Sequence, residues 1–226
     1  MTQIALFCQE IKLLLKNLIK HHFNIFISKK TITPIKQTRE TVLFIKGIFN
    51  WLYGVENLSD FFDKQNLKLK VINYETDSLE ITAKKIFKKI KPIIQSENVT
   101  SLIGYSYGGL IILKIIQDHP EIQDKFKKIL LIGCPINYSL VSKLTLLNIL
   151  KPNITAEISD INNFLSSTNS LKFNRFIIIS GTQDFIVPTK NCHFNKIKSL
   201  KLNGVGHIGL IEKEKAFKAI YSQIIS

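Results

Sequence analysis

Cysteine is nearly missing from this 226-residue chain: only Cys8, Cys134 and Cys192 are present. They are scattered, odd in number and form no C-x-x-C pair. They therefore give neither a disulfide framework nor the spacing of a zinc site, and a reducing, cytoplasmic setting is expected. Arginine is scarcer still, with Arg39 and Arg175 alone, so the net charge of +14 is carried by lysine. Those lysines run along the whole length, with no aromatic-interleaved basic stripe and no nucleic-acid motif. Nucleic acid is not an expected partner. Most of this charge reads as solvated surface, and attraction to an anionic membrane or an acidic partner is the second reading. Also missing is any run of about 18 apolar residues, so no transmembrane span is expected. Lysines interrupt the first apolar stretch and no small-residue cleavage site comes after it, which speaks against a signal peptide. No internal repeat or low-complexity block appears. What remains, 45% hydrophobic and 21% charged, has the composition and length of a globular chain that sustains its own core.

The chain begins with an amphipathic pattern over roughly residues 3 to 20. Ile4, Phe7, Cys8, Ile11, Leu14, Leu15 and Leu18 share one helical face, while Lys12, Lys16 and Lys20 stack on another. This basic helix either docks on the domain or, in the sharper reading, anchors residues 1–22 peripherally at an anionic membrane. His21 and His22 mark its end and do not make a metal site. Residues 23 to 40 are a connector or edge strand.

From Thr41 the pattern turns regular. Strand-like segments at 41–45, 67–74, 99–103, 129–134, 175–180 and 197–202 alternate with helical patterns at 52–65, 78–94, 110–117 and 212–224. Continuous apolar runs are expected of strands buried on both faces, and this alternation predicts βαβ units in a parallel sheet flanked by helices. Ser78 is placed to cap the helix after it. The regularity lapses between Pro135 and Asn174, where about 40 residues separate two strands. Either an inserted cap over a site or a long helical crossover accounts for them.

The chemistry is concentrated where strands end. Val99 to Ile103 runs into Gly104-Tyr105-Ser106-Tyr107-Gly108-Gly109, and a helical pattern begins at once. A strand, a sharp G-x-S-x-G turn and a helix form a nucleophile elbow. The turn strains the serine backbone, and glycines two positions either side remove collisions that larger residues would make. A Gly-rich βα loop without chemistry would share this pattern, so the decisive question is whether an acid and a histidine come later in the required order. Asp184 comes directly after the strand at 175–180, and His207 after the strand at 197–202. In an open parallel sheet the loops at the carboxyl ends of strands share one edge, so Ser106, Asp184 and His207 are predicted to meet there. A serine hydroxyl needs a base to act as nucleophile at neutral pH. His207 is the expected base and Asp184 the expected orienting acid. Asp160 is a weaker candidate acid, since no clear strand precedes it. Two backbone N–H groups are expected to form the oxyanion hole: Tyr107, after the nucleophile, and Ile48, in the loop after the strand at 41–45. Gly47 would let that loop approach the substrate.

These residues carry a resemblance. Gly104-Tyr-Ser106-Tyr-Gly108-Gly109, Gly181-Thr-Gln-Asp184 with Val187-Pro188, and Gly206-His207 resemble the α/β-hydrolase superfamily, in particular its serine esterase and lipase-like members. The likeness covers roughly residues 41 to 226, and Gly133 to Ser139 adds a weaker match. It departs at Lys46-Gly47, where many relatives have His-Gly, and in lacking obvious first strands. The resemblance implies a mostly parallel sheet of about six strands, with residues 135–174 as a short cap and residues 1–40 as an extra N-terminal helix and connector. It implies a serine hydrolase that cleaves a carboxylic ester or thioester through an acyl-enzyme on Ser106, with no cofactor or metal.

Ile48, Phe49, Trp51, Phe185 and Ile186, all close in sequence to the proposed site, favour a small acyl or lipid-like substrate. With the basic N-terminal helix, a lipase at a membrane surface is one extension and a soluble carboxylesterase another. Two other classes stay open: an acyltransferase using the same three residues, and a non-catalytic binding protein on the same fold.

Overall fold

The computed structural model describes residues 12, 39–48, 55–137 and 153–226. The sequence-predicted N-terminal helix, the connector after it, Phe49, Trp51 and residues 138–152 lie outside these, apart from Lys12.

Six parallel strands form one sheet: β1 (Glu40–Ile45), β2 (Leu67–Ile72), β3 (Val99–Tyr105), β4 (Lys128–Ile132), β5 (Phe176–Gly181) and β6 (Lys198–Leu202), in the order β2-β1-β3-β4-β5-β6. The helices are α1 (Glu56–Lys64), α2 (Leu79–Ser96), α3 (Tyr107–Asp118), α4 (Ile154–Ser167), α5 (Gly209–Glu212) and α6 (Glu214–Ile225). Side chains of a strand alternate between the two faces of its sheet, and the core divides accordingly. Leu43, Ile45 and Leu102 pack with α2, α3 and α4 on one face, while Val42, Phe44 and Ile103 pack with α1 and α6 on the other. The four inner strands, sandwiched this way, have no solvent face and are mostly apolar, whereas the edge strands β2 (LKLKVI) and β6 (KSLKL) interleave lysines and are partly exposed.

Element boundaries depend on their partners. The apolar pattern predicts a strand to Tyr74, yet β2 stops at Ile72, because its strand partner β1 ends at the paired Ile45. Conversely β3 continues to Tyr105, which pairs with Ile132 of β4. At the start of α2, Ser78 Oγ accepts the Ile81 N–H at 3.3 Å, the cap expected there. Between β4 and β5, the described part of the 135–174 stretch contains α4. Its Ile154, Ile158, Ile161 and Leu165 are buried against the α2/α3 face of the sheet. Among the described residues no helix is long and apolar enough to cross a membrane.

The strand order reverses between β1 and β3: the chain runs outward from β1 to β2 on one side and from β3 to β6 on the other. The loops after β1 and β3 therefore leave from adjacent strands, and those after β5 and β6 from the same edge. An open sheet binds ligands beyond the carboxyl ends of its strands, where the strand order reverses. That edge is where the candidate residues sit.

Candidate active site

Ser106 occupies the single residue between β3 and α3, with φ 54° and ψ −122°. Among the described residues only Asn66, Asn153 and Ser106 combine a side chain with positive φ. Asparagine enters this region comparatively easily, whereas a serine is held there against a cost of about 1–3 kcal/mol. Backbone contacts do the holding. The Ser106 N–H donates to Ile132 O at 2.7 Å, and the Gly109 N–H donates to Ser106 O at 3.0 Å. A methyl group on Gly108 would lie 2.2 Å from Ile45 O and 2.5 Å from Lys46 O, and one on Gly104 would lie 2.6 Å from Gly109 Cα. Both glycines are thus required by the approach of α3 to β1 and β3. Gly109 meets a side chain instead, since its added methyl would lie 2.5 Å from Cys134 Sγ.

Asp184 and His207 are buried and adjacent, with His207 Nδ1 and Asp184 Oδ2 2.6 Å apart. The other carboxylate oxygen, Oδ1, accepts the N–H groups of Ile186 at 2.9 Å and Val187 at 2.7 Å. Both oxygens are therefore committed to donors, and the carboxylate plane is fixed. The imidazole is fixed as well. Tyr105, the last residue of β3, donates its hydroxyl to His207 O at 3.1 Å, and its ring lies 4.9 Å from the imidazole, centroid to centroid. On another side is Gly133 (φ 56°), where a methyl group would stand 3.1 Å from His207 Cε1. Tyr105 and Gly133 are the chain neighbours of Ser106 and of its hydrogen-bond partner Ile132. His207 therefore lies against the residue before Ser106 and the one after Ile132. Asp160, the weaker candidate, lies along α4 in a groove shared with Ser78, Lys114 and Asn163, and is not next to His207.

Gly47, in the loop after β1, lies against the elbow: a methyl group there would come 3.1 Å from Ser106 Cβ. The loop is braced from the segment after β2. Tyr74 Oη lies 2.8 Å from Lys46 O and 3.0 Å from Gly47 O, and Thr76 Oγ1 donates to Ile48 O at 3.2 Å. Lys46 is half-buried, and burial pulls its ammonium below the usual lysine range, partly offset by Glu56. Tyr107 is also anchored. Its hydroxyl donates to Glu157 Oε2 at 3.0 Å, and Glu157 Oε1 accepts the Leu79 N–H at 2.8 Å.

Neither described cysteine competes as a nucleophile. Cys134 and Cys192 are free and buried, and burial pushes both thiols up, away from the reactive thiolate.

Sequence reasoning did not single out Tyr74, Thr76, Tyr105 or Glu157. Their partners are backbone groups or side chains 27 to 102 residues away. The available signal was position: Tyr74 and Tyr105 stand at the carboxyl ends of strands, on the edge where the site forms.

No protein-family model matches the sequence, and no curated protein matches it. Solved structures do resemble it. The mature form of the Bacillus licheniformis lipase BlEst2 superposes with a TM-score of 0.69 at 13% identity, covering 86% of this chain and 96% of that one. Est1E from Butyrivibrio proteoclasticus gives 0.61 at 14% identity, over 84% and 90% of the two chains. The esterase domain of a Rhodothermus marinus protein gives 0.56 at 16% identity, over 82% and 84%. Such identities speak for architecture alone. The six-stranded parallel sheet, its helices on both faces and these likenesses establish that the chain has the α/β-hydrolase fold.

Proposed function

We propose that this protein is a serine hydrolase acting on carboxylic esters or thioesters, with Ser106 as nucleophile, His207 as base and Asp184 as orienting acid. One observation carries the reading: the buried 2.6 Å contact of His207 Nδ1 with Asp184 Oδ2, with the imidazole against Tyr105, the residue before a serine held at φ 54°. The likeness to proteins described as a lipase and an esterase domain is in keeping with it.

With Nδ1 committed to the carboxylate, Nε2 is the nitrogen left to take the Ser106 proton. The serine oxygen bonds to the acyl carbon, and the carbonyl oxygen becomes an oxyanion facing the N–H groups of Ile48 and Tyr107. Collapse breaks the bond to the alcohol or thiol, which leaves with the proton from His207. A water molecule then repeats the sequence on the acyl-enzyme, releasing the carboxylic acid and regenerating Ser106. The exposed Phe185 and the partly buried Ile48 and Ile186 give the neighbourhood an apolar character that suits an acyl chain.

The test is hydrolysis of a p-nitrophenyl ester series of graded chain length, together with fluorophosphonate labelling. Wild-type protein should turn over at least one ester and label covalently, and Ser106→Ala should do neither while keeping its thermal midpoint. A folded wild-type sample that neither labels nor hydrolyses any ester overturns the reading. Adding an alcohol acceptor and analysing products separates hydrolysis from acyl transfer.

A further inference from the structure

The proposed oxyanion hole depends on the direction of one peptide group, between Gly47 and Ile48. A glycine-containing loop has little intrinsic stiffness, so something outside it must set that direction. Tyr74 does so from a buried position. It lies two residues beyond the end of β2, keeps 7% of its surface, and belongs to the apolar cluster beneath α2. Its hydroxyl reaches Lys46 O and Gly47 O at 2.8 and 3.0 Å. A phenol has one proton to give, so the two carbonyls share it and are drawn to the same side. Burial pushes the Tyr74 hydroxyl above its usual range, which keeps that proton in place at any pH where an esterase is assayed.

Peptide groups are planar, and with no cis bond among the described residues the carbonyl of Gly47 and the N–H of Ile48 point in opposite directions. Holding the carbonyl toward Tyr74 therefore turns the Ile48 N–H away from Tyr74. Thr76 Oγ1 holds the next carbonyl, that of Ile48, at 3.2 Å. All three carbonyls from Lys46 to Ile48 are thus tied to the short stretch Tyr74–Thr76, while Gly47 itself rests against Ser106.

We infer that Tyr74 is a positioning residue for the oxyanion hole, its hydroxyl fixing the peptide plane that presents the Ile48 N–H to the developing charge. This rests on the serine hydrolase reading above. Tyr74 touches no reacting atom, and its effect should be confined to transition-state stabilisation, because the oxyanion exists only there.

The experiment uses full-length Tyr74→Phe, which removes one oxygen and keeps the ring. Loss of an oxyanion donor costs about 10²–10³ in kcat, and loss of a residue that orients one should cost roughly 10- to 100-fold. The expected result is that fall in kcat with KM within about twofold, and an equal weakening of a trifluoromethyl ketone that mimics the tetrahedral state. A merely structural role would lower the thermal midpoint without making the ketone affinity track kcat. Should Tyr74→Phe fail to fold, Thr76→Val acts on the exposed bond to Ile48 O, and a smaller parallel loss in kcat and ketone affinity is expected. An active wild type whose folded variant keeps kcat and ketone affinity within twofold overturns this inference and leaves the hydrolase reading standing. A wild type that hydrolyses no ester overturns both.

Discussion

The two halves of the candidate site are built by different means. On the Ser106 side, backbone presses on backbone: α3 comes so close to the end of β1 that Gly108 has no room for a methyl group, and Gly104 has none beneath α3. On the Asp184–His207 side, directional hydrogen bonds do most of the work, from Ile186 N, Val187 N and Tyr105 Oη. Close backbone packing recurs there at Gly181, where a methyl group would stand 2.2 Å from Val205 O. Steric construction couples the geometry of Ser106 to the fold itself. Hydrogen-bonded construction lets geometry and stability be altered separately.

The largest expected effect breaks the hydrogen-bonded half without touching the fold. In Asp184→Asn, the amide oxygen still accepts from Ile186 N and Val187 N, but an N–H now faces His207 Nδ1 and forces the wrong tautomer. Ester hydrolysis should fall about 10⁴-fold, near 5 kcal/mol of barrier, with a thermal midpoint close to wild type. Retention of more than a tenth of the activity would show that Asp184 is not the orienting acid.

Next comes Gly108→Ala on the steric half. Overpacking against backbone that cannot yield costs about 3 kcal/mol, which in a chain of this size lowers the midpoint by roughly 6–12 °C. Activity and stability should be lost together. A variant that is inactive yet unfolds at the wild-type temperature would show that the elbow is not coupled to the fold.

The smallest effect serves as a control, away from the carboxyl edge. Glu97 lies just past α2 and takes hydrogen bonds from Lys68 at 3.1 Å, Thr41 at 3.3 Å and Lys70. Burial alone would raise its carboxyl, but the bonds from Lys70 and Lys68 outweigh that and hold it below the usual range. A depressed folded-state pKa contributes stability above the unfolded value, near 4.3, and loses it as the pH falls through the folded value. Glu97→Gln should therefore lower the midpoint at neutral pH by roughly 2 °C or less. That gap should close under acid, and kcat should not change. A gap that widens under acid would mean that the folded protein raises this carboxyl instead of depressing it.

Much of the molecule is legible in its sequence because it depends on local chemistry. Apolar runs announce the inner strands, shorter strand-like segments at 67–74 and 197–202 announce the edge strands, and glycines around Ser106 announce a turn that only small neighbours allow. Asp184 and His207 are found by their place after strands, with no knowledge of which strands are neighbours. Interactions set by strand order escape such reading. Tyr74 reads as the tail of a strand until β1 is known to end at Ile45, and Tyr105 reads as filler in the motif until its hydroxyl is seen on His207 O. Glu157 belongs to a stretch without visible periodicity, and its partner Tyr107 is 50 residues away. A hydroxyl's direction is fixed by tertiary neighbours, and a pattern along the chain does not encode it.

The backbone angle at Ser106 has one more consequence. Left to itself, this tripeptide of tyrosine, serine and tyrosine would relax to negative φ. Its conformation is imposed jointly by β1, β3, β4 and α3, so partial opening of any of them releases the elbow. Under the proposed hydrolase reading, the geometry of the nucleophile is thereby an all-or-none attribute of the assembled sheet. On that reading, a misfolded or nascent copy would carry only an ordinary serine.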